Sequence, residues 1–124
     1  MKKFLSDILG TNTKNDSALS PEAFFNQFVK ALKSQDREKA RQIIGQNMRR
    51  VNSRNKDGMS ALAVAAAGGD RELVEMLLKS GAYIDAQDNF GLTALMWAVT
   101  NGHRAVVECL LDAGATIDIY NKFD

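Results

Sequence analysis

The feature that most constrains this chain is a repeat of 33 residues. Aligned without gaps, residues 55–87 and 88–120 are identical at 14 of 33 positions. The identities cluster on small and aliphatic residues, among them Gly58/Gly91, Ala61/Ala94, Leu62/Leu95, Ala65/Ala98, Gly69/Gly102, Leu77/Leu110, Leu78/Leu111 and Gly81/Gly114. A period of this length marks a stack of supersecondary units. Each unit is too small to bury its own apolar face, so neighbours must cover one another.

Within each unit the pattern reads helix, turn, helix. Ser60 and Thr93 are hydroxyl residues placed to cap a short helix by accepting from an orphan backbone N–H. The stretches Ala61–Ala67 and Ala94–Thr100 follow, compact and rich in alanine, so a neighbouring helix can approach closely. Gly69 and Gly102 end them. A second helix is predicted over about Arg71–Lys79 and Arg104–Asp112, where Leu73, Val74, Leu77 and Leu78 share one face of a 3.6-residue period. Gly81 and Gly114 stand where a left-handed C-terminal cap belongs. The residues after them lead into a turn containing Gly58 or Gly91, which predicts a projecting loop or hairpin.

These residues resemble the ankyrin repeat, whose pattern runs approximately D-x-x-G-x-T-P-L-H-x-A-A-x-x-G-H and then V-x-x-L-L-x-x-G-A-x-x-N. The best match has Asp88, Gly91, Thr93, Leu95, Ala98, Gly102, His103, Val107, Leu110, Leu111, Gly114 and Ala115, and residues 55–87 match nearly as well. Both units depart from the pattern at the proline (Ala61, Ala94) and at the first histidine (Ala63, Met96). The substitutions remove a helix-start signal and a loop hydrogen bond, so some stability is expected to go with them. The resemblance implies an all-α solenoid of helix–turn–helix units with short projecting loops or hairpins.

Upstream, Asp36-Arg37-Glu38 echoes Asp70-Arg71-Glu72, and Ile43-Ile44 echoes Leu77-Leu78, with one extra residue near Gly45–Arg50. The helix opening at Ser20-Pro21-Glu22 continues through Phe24, Phe25, Phe28, Val29 and Leu32, longer and more aromatic than its counterparts. This reads as a degenerate capping repeat. The expected organisation is an amphipathic segment and polar linker at 1–19, the capping repeat at 20–54, two ankyrin-like repeats at 55–87 and 88–120, and the start of another at 121–124. A stack needs a polar face at each end. The expectation is therefore that the chain belongs to a longer array or self-associates through its uncapped C-terminal repeat.

Charge and cysteine bound the function. The formal net charge is +1, which gives no global attraction to nucleic acid. It is unevenly spread, with +5 over residues 1–50 and −4 over residues 51–124. Cys109 is the single cysteine, so no intrachain disulfide can form and a reducing, cytoplasmic setting fits. Residues 1–10 are too interrupted for a signal-peptide core, and no apolar run is long enough to span a bilayer. Enzymatic activity is disfavoured. The glycines follow the repeat and carry no phosphate-binding lysine, and the one histidine has no second histidine or serine–acid pair beside it. No cofactor and no metal are expected.

The expected function is that of a non-catalytic protein–protein interaction scaffold. In ankyrin stacks, the resemblance implies, partners touch the loop tips and the inner face of each first helix. The tip positions are Lys56, Asp57, Met59, Gln87, Asn89, Phe90, Leu92, Tyr120, Lys122 and Phe123, and the groove would be lined by Ala67, Gly68, Thr100 and Asn101. For the large apolar tip residues Met59, Phe90 and Leu92, packing against the adjacent tip is the more ordinary reading and a partner contact the alternative. Trp97 is expected in the inter-repeat core, Cys109 as a buried small hydrophobe, and His103 as a loop hydrogen bonder. The run Arg37, Lys39, Arg41, Arg49, Arg50, Arg54 and Lys56 is interrupted by acids and lacks aromatics, so it is expected to be a solvated face and not a nucleic-acid site. Phe4, Leu5, Ile8 and Leu9 would form an apolar stripe if helical. Folding back onto the Phe24/Phe25/Phe28 cluster is the favoured reading of it, and docking to a membrane surface or a partner groove the alternative.

Overall fold

Among the described residues, six α-helices follow one another in three pairs: α1 (Pro21–Lys33) with α2 (Arg37–Gln46), α3 (Ala61–Gly68) with α4 (Arg71–Lys79), and α5 (Ala94–Thr100) with α6 (Arg104–Asp112). The structure is a computed structural model and describes residues 19–117. The helix boundaries predicted for the second and third pairs are met to within a residue.

Each helix starts where a side chain can satisfy its first N–H groups. Ser20, Ser60 and Thr93 accept from the backbone N–H three residues on, at 3.0, 3.2 and 3.3 Å, and so cap α1, α3 and α5. Asp36 and Asp70 do the same for α2 and α4, where the carboxylate also meets the positive end of the helix dipole. The exception is α6, which begins after His103 without a side-chain cap. Gly81 and Gly114 end α4 and α6 with φ of 96°, the left-handed conformation expected of them.

The helices form two layers. The first helices α1, α3 and α5 pack side by side, and the second helices α2, α4 and α6 pack behind them. Small residues make this possible: Ala61, Ala65, Ala66, Ala94 and Ala98 are all buried where α3 meets its neighbours. Leu73 and Leu77 of α4 and Val106 and Leu110 of α6 fill the space between layers. Burying each such side chain contributes about 1.5–3 kcal/mol. In α1, Phe24 and Phe28 stack with ring centroids 6.1 Å apart and are wholly buried in the core.

The two ends of the stack differ. Phe24, Phe25, Phe28 and Ala31 of α1 face inward, while Glu22, Asn26, Gln27, Lys30 and Lys33 face water. The extra residue of the first pair is absorbed after α2, where a 3-10 turn over Met48–Arg50 stands in place of a glycine turn and delivers Val51 to the core. At the other end, Ala66 is fully buried by the third pair, whereas its counterpart Val99 is 59% exposed. Leu111 and Ile117 are exposed in the same way, where Leu78 and Ile84 pack against the core. The last described pair thus presents an apolar face.

Candidate functional site

The loops between pairs are built around one acceptor each. Asn55 Oδ1 accepts from the N–H groups of Asp57 and Met59, both at 2.9 Å. One repeat on, Asp88 Oδ1 accepts from Phe90 and Leu92, again at 2.9 Å. Each loop closes with a backbone bond across its base, Asn55 N–H to Met59 O and Asp88 N–H to Leu92 O, both 3.0 Å. These bonds satisfy the loop backbone in units that lack the ankyrin pattern's first histidine. Among the described residues the hairpin reading reduces to one isolated antiparallel bridge, Arg54 with Ser60.

Successive loops are then tied together by bonds that reach about one repeat along the chain. Arg54 donates to Gln87 O at 2.6 Å, and Asn89 donates from Nδ2 to Lys56 O and from its backbone to Asp57 O, both at 2.9 Å. Asn52 accepts from Tyr83 N–H and donates to Gly81 O; its counterpart Asp85 accepts from both the N–H and the hydroxyl of Thr116. At the far end of the first helices, Asn101 Nδ2 and His103 Nε2 both lie 2.9 Å from Ala67 O. His103 therefore bonds across to the preceding helix end, which assigns its proton to Nε2. The projecting backbone is a fixed ladder.

On this ladder Lys56, Asp57, Gln87, Asn89 and Phe90 are exposed, and so are Gly68, Thr100 and Asn101 at the ends of the first helices. Met59 and Leu92 are half-buried, Met59 against the core, while Phe90 keeps 48% of its surface in water. Ala67 is half-buried and gives its carbonyl to the third pair. Tyr120, Lys122 and Phe123 lie outside the described residues, as does the apolar stripe of residues 1–10. Trp97 departs from the expectation of a core residue. It is half-buried, and its indole N–H reaches the Asp88 carboxylate at 3.0 Å. A buried indole needs a partner for that N–H, and the loop supplies one.

Cys109 is buried as expected, and burial, followed by the nearby Glu75 carboxylate, pushes its thiol above the ordinary range. The basic run divides. Arg37 and Arg41 pair with Asp70 and Glu72 across the second-helix layer, at 3.3 and 2.7 Å for the closest contacts, and Arg50 donates to Leu19 O. Arg54 and Lys56 instead sit on the loop beside α1, where two adjoining hollows of about 680 and 540 Å³ share Phe25, Asn26 and Asn55. This groove joins residues from two units and has no single-segment signature in the sequence. Among the described residues no cluster of three or more His, Cys, Asp or Glu could hold a metal, and no helix is long and apolar enough to cross a membrane.

Two layers of paired helices, joined by loops at a 33-residue period, are the architecture the resemblance implies, and the family model described as ankyrin repeats (3 copies) matches residues 26–121. The chain belongs to the ankyrin-repeat family. It is 33% identical over 89 residues to Ankyrin repeat and SAM domain-containing protein 6 of Danio rerio, an alignment covering 71% of this chain and 11% of that protein. This chain therefore spans a small part of that relative's length. Ankyrin repeats are generally protein–protein interaction modules without catalytic activity.

Proposed function

We propose that this ankyrin chain is a non-catalytic scaffold that binds a protein partner through its loop tips and first-helix face. The observation that carries the reading is the ladder. Arg54, Asn89 and Asn101 bond one loop or helix end to the next, so the exposed side chains of Lys56, Asp57, Gln87, Asn89, Phe90, Thr100 and Asn101 are held in fixed relation before any partner arrives. Preorganisation of this kind lowers the ordering cost of association. Repeats divided at 20–54, 55–87 and 88–120, with flanking segments at 1–19 and 121–124, are the units of that scaffold. A cytoplasmic setting agrees with its single, buried cysteine.

Site-specific photocrosslinking tests the reading. A crosslinking amino acid at position 56 or 90 should capture a discrete partner in source lysate, while one at exposed Ala105 on α6 should not. Equal capture from all three positions would overturn the assignment of the surface.

A second reading, self-association, is favoured by one observation, the exposure of Val99, Leu111 and Ile117. Sedimentation equilibrium should then show an oligomer that Val99→Asp disperses, and a wild-type monomer at high concentration removes it. The alternative of membrane or helix docking through residues 1–10 is tested by co-sedimentation with liposomes before and after their removal.

A further inference from the structure

We infer that the groove between α1 and the loop at 54–57 receives an extended acidic peptide segment carrying a small apolar anchor. The inference rests on the scaffold reading and names the chemistry of the partner segment. Lys30 and Lys33 line the groove from α1, and Arg54 and Lys56 line it from the loop. All four are exposed. The ion pairs among the described residues involve Arg37, Arg41, Arg71 and Arg104, and none involves these four. Arg54 donates from Nη1 to the carbonyls of Gln87 and Gly58, which holds the guanidinium in place without neutralising it. Against four cations the groove sets two carboxylates, Glu22 and Asp57.

The excess belongs to this groove alone among the first helices. Neither α3 (ALAVAAAG) nor α5 (ALMWAVT) contains a charged residue. The apolar lining is half-buried Val29 and buried Phe25, with exposed Asn26 beside them. A shallow apolar floor with one pair of cations in each of its two adjoining hollows complements one aliphatic side chain with Asp or Glu on either side. A nucleic-acid strand fits less well. Glu22 and Asp57 interrupt the phosphate track, and Phe25, 4% exposed, offers no face for a base to stack on.

The test uses the full chain and fluorescein-labelled 12-residue peptides, read by anisotropy. The probe has a central Leu flanked by Asp and Glu; comparison peptides replace the acids by Asn and Gln, or the Leu by Ser. The acidic probe should bind, weaken as salt rises, and lose roughly tenfold in affinity with Lys30→Glu/Lys56→Glu. The uncharged and Ser peptides should bind more weakly. Reversal of two distant exposed cations, Arg49→Glu/Lys79→Glu, should have no comparable effect, and circular dichroism should show both double variants folded. Equal binding of the uncharged peptide, equal loss in the two double variants, or preference for poly(U) over the acidic peptide would each overturn the inference. If crosslinking at position 90 still captures a partner when the peptide test fails, the scaffold reading stands and the groove assignment alone falls. If the peptide binds but crosslinking captures nothing at position 90, the groove assignment stands and the remaining loop tips fall as a partner surface.

Discussion

Trp97 of α5 and Asp88 of the preceding loop are joined by an indole–carboxylate hydrogen bond of 3.0 Å, and the same carboxylate's other oxygen accepts two backbone N–H groups of the loop. One side chain, 5% exposed, thereby fixes both the shape of the loop and its attachment to the helix behind it. Asp88→Ala leaves three donors without their acceptor and should cost about 2–3 kcal/mol. Asp88→Asn retains an acceptor for the backbone pair but loses the charge-assisted bond to Trp97, and about 1 kcal/mol should go. Trp97 is the single tryptophan, so its fluorescence reports the loop directly. Urea denaturation followed by that emission should rank wild type, Asn and Ala in this order; indistinguishable midpoints would mean that the loop holds itself.

Gly69 and Gly102 separate two reasons for a glycine. Both have positive φ, 77° and 73°. A Cβ at Gly69 would lie 2.6 Å from His103 Nδ1, whereas one at Gly102 meets nothing within 4 Å. Gly102→Ala should therefore cost only the left-handed backbone penalty, about 1–2 kcal/mol. Gly69→Ala should cost more, because the imidazole must also leave its contact with Ala67 O. The two Gly69→Ala and His103→Ala losses should fall short of adding in the double variant, as expected of residues in direct contact. Equal destabilisation by the two alanines, measured by thermal melting, would show that the ring yields freely.

Much of this was legible in the sequence. Spacing placed the second helices, since Leu73, Val74 and Leu77 can share a face only at a helical period, and Ser60 and Thr93 marked where first helices start. What escaped was any contact between units. Asn52 and Asp85 look like ordinary turn residues, yet each captures the backbone 31 residues ahead. Trp97 lies within an apolar helix and was expected inside it, because periodicity registers the ring and not the donor at its edge. The basic residues from Arg37 to Lys56 read in the sequence as one solvated face. Folding sends Arg37 and Arg41 to the second-helix layer and sets Arg54 and Lys56 in a hollow adjoining the one that Lys30 and Lys33 line.

The pairs joining α2 to α4 should matter little despite their good geometry. Arg41 and Glu72 are 2.7 Å apart, but their side chains are 46% and 54% exposed. Water and salt screen such a pair, and holding two long side chains costs entropy. Glu72→Gln should cost about 0.5 kcal/mol in low salt and close to nothing at high salt. A loss above about 2 kcal/mol that persists at high salt would show that Glu72 has a packing role beyond its charge.

Cys109 offers a prediction in pH. Its thiol is raised in the folded chain, first by burial and then by Glu75, so the thiolate forms more readily once the chain unfolds. Between the two values the folded state holds a proton that the unfolded state has released. The thiol's contribution is therefore fully present below the unfolded pKa and is lost as pH rises through the folded one. Urea midpoints should fall across the alkaline thiol range, and Cys109→Ala should flatten that fall while lowering stability modestly at neutral pH. The same burial should slow labelling by a thiol reagent at pH 8 until urea opens the chain. Rapid labelling without urea, or an unchanged alkaline slope in the alanine variant, would mean that Cys109 is reached by solvent without unfolding.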